Sequence, residues 1–175
     1  MEKDNITWRM YGLVPYNISE IQAGIQFGHA VVEYGLGYFK TKEYKEWATS
    51  HKTFIILNGG TSSTMVDNVQ SLIDNDIIHR TFVEPDLNNM LSAVVFLVDS
   101  RVYDYENYPD FYDYCRRFKG TQRALNVSEW DKNGWLEYSR DLGGVGSEEY
   151  HDWVKHMGGK KNIFLRNYIK KFKLR

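Results

Sequence analysis

The stretch "SEIQAGIQFGHAVVEYG", residues 19–35, decides how this chain folds. Its apolar residues recur at helical spacing, so the segment predicts a helix packed on a core and running from residue 19 to about 38. Ser19 with Gln22 three residues on forms the capping-box pattern, in which each side chain satisfies an orphan backbone N–H of the first turn. Gln22, Gln26, His29 and Glu33 follow one another at steps of four, three and four, which lines them along one side of that helix. Such a polar row either faces water or forms half of a binding site.

Working outward, "TWRMYGLVP" (7–15) mixes aromatic and aliphatic residues up to a proline and reads as a strand. After the helix, "TKEYKEWATS" (41–50) is helical and "KTFIILN" (52–58) reads as a buried strand, since its large apolar residues are consecutive. "NGGTSST" (58–64) lacks the lysine and spacing of a phosphate-binding loop and is a strand-to-helix turn. The helix from 63 to about 74 carries Met65, Val66, Val69, Leu72 and Ile73 on one face, with Ser62 or Ser63 as its cap. "IIHRTFVE" (77–84) and "LSAVVFLVDS" (91–100) complete the order β, α, α, β, α, β, β. That order predicts an α/β fold, a mixed four-stranded sheet flanked by helices.

Beyond residue 102 the texture changes. "YDYENYPDFYDYCRRF" (103–118) is dense in aromatic residues, "DLGGVGSEEY" (141–150) has a joint's composition, and "KKNIFLRNYIKKFKLR" (160–175) reads as a closing helix. The chain of 175 residues, 42% hydrophobic, suits one sizeable core with an appendage, expected as a core over 1–102 and a helical extension over 103–175. The net charge of −1 points to no partner, but it is uneven: residues 1–100 hold 7 Lys and Arg against 12 Asp and Glu, residues 101–175 hold 15 against 11. From Lys155 to Arg175 there are eight Lys or Arg and no acid, beside an apolar stripe of Phe164, Leu165, Tyr168, Ile169 and Phe172. Such a basic amphipathic helix either docks on the core or uses Arg166, Lys170 and Lys173, spaced four and three apart, to touch phosphates.

Cys115 is the sole cysteine, which excludes an internal disulfide and a cysteine-rich metal framework and fits a reducing cytoplasm. The opening residues have no signal-peptide core, and the apolar run "AVVFLV" (93–98) is far short of the roughly 20 residues that span a bilayer, so no membrane association is expected. His151 and His156, five apart, are badly spaced for one metal on one helix face. Neither metal nor cofactor is expected.

The helix motif Q-x-x-H-A, Gln26 to Ala30 in "IQFGHAVV", together with "FVEPDLNNMLSAVVFLV" (82–98) and the element order, resembles the peptidyl-tRNA hydrolases of the second, archaeal and eukaryotic type, over roughly residues 7–100. The resemblance implies a small, metal-independent hydrolase that cleaves the ester between a peptide and tRNA. It also implies a site in which the helix row meets an acidic loop. Glu84 or Asp86 would orient or deprotonate a water, Gln22, Gln26 and Ser92 would bind the carbonyl or phosphate, and His29 would orient Gln26 or touch the ligand. Two departures bear on turnover. Gln22 stands where the family carries a lysine, and Glu84-Pro85-Asp86 stands where it carries an aspartate followed by small residues; Ser92 takes a family threonine position. The expected function is therefore recognition, with or without hydrolysis, of an ester-linked or phosphate-bearing RNA or nucleotide ligand. The alternative is a catalytically inactive protein that sequesters a nucleotide-like ligand or binds a protein partner. A tRNA partner and a homodimer are both compatible with the sequence.

Overall fold

A computed structural model of the protein describes residues 6–119 and 145–175. The chain forms two compact units, Met1–Ser100 together with Phe164–Arg175, and Arg101–Ile163. The boundary expected at residue 102 falls close to the first division, but residues 164–175 return to the first unit instead of ending the extension.

The first unit is α/β. Strand β1 (Trp8–Val14) leads into helix α1 (Glu20–Tyr38), a short helix α2 (Lys42–Glu46) and a π-helical turn, Trp47–His51. Strand β2 (Thr53–Asn58), helix α3 (Ser62–Asp74), strand β3 (His79–Glu84), a 3-10 turn at Pro85–Leu87 and strand β4 (Met90–Asp99) follow. The four strands lie in the order β2-β1-β4-β3, with β1 parallel to β2 and both β1/β4 and β4/β3 antiparallel. The sheet is therefore mixed and four-stranded, as the element order predicts.

Alternation along the strands assigns its two faces. Met10, Val14, Ala93, Val95 and Leu97 pack with Ala23, Phe27, Ala30 and Tyr34 of α1. Gly12 sits under that helix: an added Cβ would lie 2.6 Å from the Phe27 ring and 2.8 Å from the Val94 carbonyl oxygen, so the close approach of α1 to β1 requires glycine there. On the opposite face Tyr11 stacks on Phe96, and Phe96 meets Tyr168 edge-on, at centroid distances of 6.4 and 5.9 Å. The Tyr168 hydroxyl donates to Asn68 O of α3 at 3.0 Å, tying the returning segment to that helix.

Three local readings are corrected. Strand β2 is not buried: only Leu57 is, and Phe54 is 52% exposed, because β2 lies at a sheet edge where a continuous apolar run need not be covered on both sides. The cap of α3 is Thr61, whose side chain accepts from Thr64 N–H, in place of either serine. The helix expected to close the chain stops early. Helix α7 (Lys160–Ile169) is followed by extended backbone in which Leu174 bridges antiparallel to Leu57, Asn58 N–H donates to Lys173 O, and Arg175 N–H donates to Ile56 O. An open strand edge offers unpaired backbone groups, and here they win residues 173–175 away from helix.

The second unit contains helices α4 (Ser100–Tyr103, at its boundary), α5 (Phe111–Tyr114), a π-helical turn at Cys115–Lys119 and helix α6 (Val145–His156). Its core joins Tyr108, Phe111, Tyr114, Cys115, Trp153, Met157 and Ile163. Trp153 Nε1 donates to Pro109 O at 3.0 Å, and the His156 ring lies 5.2 and 5.1 Å from Tyr108 and Tyr114. The aromatic density of residues 103–118 is thus used for packing. Gly158 and Gly159, at φ of 79° and 114°, end α6 before α7 begins. Residues 141–144 of the expected joint lie outside the described residues.

Candidate functional site

The capping box forms as the sequence implies: Ser19 Oγ accepts from Gln22 N–H at 3.2 Å, and Gln22 Oε1 accepts from Ser19 N–H at 3.4 Å. It fixes the start of α1 and thereby the phase of the row Gln22, Gln26, His29 and Glu33. Gln22 is exposed, and its side-chain oxygen is committed to the cap.

One turn on, Gln26 is buried at 5% exposure and joins helix to sheet. Its Nε2 donates to Glu84 Oε2 at 2.6 Å, while its Oε1 lies 2.8 Å from Ser92 Oγ, which donates. The amide orientation follows from chemistry. A carboxylate only accepts, so the Gln26 NH2 must face Glu84, and the hydroxyl proton of Ser92 meets the remaining carbonyl oxygen. Ser92 Oγ is also 3.2 Å from Phe82 O, so its single proton is divided between two acceptors, Gln26 the nearer. Glu84 is the last residue of β3, and its Oε1 accepts from Asp86 N–H at 3.4 Å, capping the 3-10 turn.

Ser92 reaches α1 because of a bulge. Phe82 pairs with Ala93 and Val83 with Leu91, which leaves Ser92 as an extra residue in β4 without a partner in the ladder. Strict alternation would turn Ser92 away from Ala93 and the helix; the bulge turns it toward Gln26.

The remaining contacts run along a seam between α1 and edge strand β3. His29 stacks on Phe82 at 4.6 Å, and the Arg80 guanidinium lies over the Tyr38 ring at 4.8 Å. Arg80, Phe82 and Glu84, alternate residues of β3, thus meet Tyr38, His29 and Gln26 in turn, so the helix descends as the strand ascends. A Cβ on Gly37 would come within 2.7 Å of Arg80 Nη2, so Arg80 is laid against bare helix. Below Arg80, burial followed by the neighbouring Tyr38 and Glu43 pushes the Tyr34 phenol well above the ordinary tyrosine range.

Of the residues singled out in the sequence, Gln26, Glu84 and Ser92 are joined by hydrogen bonds, and His29 adjoins them through Phe82. Asp86 is exposed in the turn and enters only through its backbone N–H. The set Arg166, Lys170 and Lys173 does not form one phosphate-binding face. Arg166 is buried at 1% exposure, and Lys173 lies past the end of α7, its carbonyl held by Asn58; Lys170 is exposed. A helix docked by its apolar stripe carries neighbouring positions inward with it, Arg166 among them. Arg80 and Phe82 were missed, although their period-two spacing with Glu84 at the end of a strand puts all three on one face.

Among the described residues, no group of three His, Cys, Asp or Glu side chains could hold a metal ion, and no helix is long and apolar enough to cross a membrane. No protein-family model matches the chain, and neither does any curated protein sequence.

Proposed function

We propose that this protein is peptidyl-tRNA hydrolase-like and recognises an ester-linked or phosphate-bearing RNA ligand along the α1/β3 seam. The observation that carries the reading is the Gln26–Glu84–Ser92 network. It brings together three polar residues separated by 58 and 66 positions in sequence at the end of an edge strand. Glu84 keeps carboxylate lone pairs beyond those used by Gln26 and the Asp86 N–H, and these can orient and deprotonate a water aimed at an ester carbonyl. Gln26 fixes the carboxylate, and Ser92 fixes Gln26. At the other end of the seam, exposed Arg80 supplies a cation for a phosphate, and the stacked pair His29–Phe82 lies between.

A second reading, binding without turnover, is favoured by one specific feature. The position that carries a lysine in the resembling family is Gln22, whose side-chain oxygen is spent on the helix cap. Gln22 itself brings no positive charge to stabilise an oxyanion, a contribution typically of about 3 kcal/mol.

The test compares wild type with Glu84→Gln and Arg80→Gln in two assays, release of peptide from peptidyl-tRNA and affinity for tRNA across a salt series. Glu84→Gln retains an acceptor for Gln26 but not a base, and should cut hydrolysis by about 10²–10⁴-fold with affinity little changed. Arg80→Gln should weaken binding and flatten the slope of log affinity against log salt by about 0.7–0.9. Binding with no measurable hydrolysis by wild type selects the second reading. If wild type neither binds nor hydrolyses, both readings fall.

A further inference from the structure

Strand β3 leaves one side of the sheet open. The β2 edge is taken up by residues 173–175, whereas among the described residues nothing pairs with the outer side of β3. Helix α1 packs on β3 and β4 together, so it lies over the strands and not across that edge. One bond fixes the direction of the backbone groups. Ser92 Oγ of β4 donates to Phe82 O, so the Phe82 carbonyl faces β4. Backbone groups alternate along a strand, and the N–H and C=O of Thr81 and Val83 therefore point outward. Val83 is 44% exposed.

The side chains of this edge form a charge pattern. Arg80, Phe82 and Glu84 share the α1 face of the strand, and Thr81 and Val83 take the other. A cation thus stands at one end, an anion at the other and an aromatic ring midway. Among the described residues, neither Arg80 nor Glu84 makes a salt bridge within the subunit.

We infer that β3 pairs antiparallel with β3 of a second copy of this chain, about a two-fold axis at Phe82, so that the two sheets become one. Charge complementarity carries this assignment. The axis sets Phe82 opposite itself and Arg80 opposite Glu84 of the other copy, an ion pair that symmetry repeats. On the other face it sets Thr81 opposite Val83. These are the residues whose backbone groups point outward, so each such pair exchanges two hydrogen bonds. Arg80 and Glu84 then meet between the hydrogen-bonded pairs, where opposed side chains come closest. An axis at Thr81 would set Arg80 against Phe82, and one at Val83 would set Glu84 against Phe82; neither pairs the two charges within the strand. A peptide of unrelated sequence would satisfy the backbone groups, but it gives no reason for opposite charges at equal distances from the centre. Glu84 has acceptor capacity for the contact, since Gln26 and the Asp86 N–H use only part of its carboxylate. The inference rests on the strand edge and is independent of the proposed ligand.

The full chain should sediment as a particle of twice 20.6 kDa. Arg80→Glu sets two acids opposite each other, and Thr81→Pro removes an outward N–H without taking a bond from β4. Each should raise the dimer dissociation constant by at least about tenfold with an unchanged circular-dichroism spectrum. Glu84→Lys alone should do the same. Mixed in equal amounts, the Arg80→Glu and Glu84→Lys chains should form a heterodimer near wild-type affinity, because both cross-strand pairs are then opposite in charge again. In the wild-type dimer the Thr81 and Val83 amides should be protected from hydrogen exchange, and in the Arg80→Glu chain they should exchange freely. A wild-type mass that stays monomeric up to about 100 μM, above the micromolar affinity expected of a modest interface, overturns the inference. So does a dimer that both Arg80→Glu and Thr81→Pro leave intact, one whose Thr81 amide exchanges freely, or a mixture of the two charge variants that remains monomeric.

Discussion

At the scale of single residues, the phenols of Tyr34 and Tyr168 show how burial fixes a pH limit. Burial pushes the phenols of Tyr34 and Tyr168 well above the ordinary tyrosine range, so the folded state holds their protons at a pH where the unfolded chain releases them. A group whose folded pKa is raised contributes stability that is complete below its unfolded value, near 10, and is lost as pH climbs past it. Chemical unfolding measured between about pH 8 and 11 should therefore show stability falling only above about 10. Tyr168→Phe should lose about 1 kcal/mol at neutral pH with the hydrogen bond to Asn68 O, and should show a shallower decline above pH 10. An identical decline in the variant would mean that Tyr168 is not the group being titrated. Among the site residues, legibility tracked exposure to local rules. Gln26 and His29 were visible because helical spacing places them side by side. Arg166 misled because a basic residue at helical spacing looks the same whether its helix faces water or the core.

At the scale of elements, the order and bounds of β1, α1, β3 and β4 could be read almost to the residue, because each is bracketed by a local signal such as Pro15, the Ser19 cap or Pro85. What no local signal announced was the bulge at Ser92, which depends on the register between two strands. It matters more than any boundary, since without it Ser92 would not reach Gln26. Gly12 offers a test of the α1/β1 packing on which that geometry rests. Gly12→Ala puts a methyl into the Phe27 ring and the Val94 carbonyl, and only the ring can give way. Stability should fall by about 1–3 kcal/mol. Gly12→Ala combined with Phe27→Leu should recover part of the loss. If Gly12→Ala is as stable as wild type, α1 does not lie as close to β1 as described.

At the scale of the molecule, the chain closes on itself by bringing residues 164–175 back to the first unit. This return was illegible because a strand edge needing partners and a basic segment able to supply them stand more than a hundred positions apart. The segment acts at three places: Tyr168 fills the α3 side of the sheet, residues 173–175 pair with β2, and Arg175 donates to Tyr16 O at 2.9 Å and to Ile18 O in the loop before α1. Removing Phe172–Arg175 leaves α7 and Tyr168 in place while reopening the edge of β2. It deletes the two backbone hydrogen bonds to β2, the one from Phe172 N–H to Ile169 O, and two from a guanidinium, each worth about 0.5–3 kcal/mol net, so a total loss of a few kcal/mol is expected. For a chain of this length each kcal/mol lowers the melting temperature by about 2–4 °C. The sharper readout is local. In the truncated chain the Asn58 amide, no longer donating to Lys173 O, should lose its protection from hydrogen exchange, whereas the Leu97 amide within the central strand should keep most of its own. An exposed β2 edge should also show as concentration-dependent aggregation that Lys placed at Phe54 suppresses, since a charge on an edge strand opposes pairing with another edge. Full protection at Asn58 after truncation would mean that the returning segment does not pair with β2.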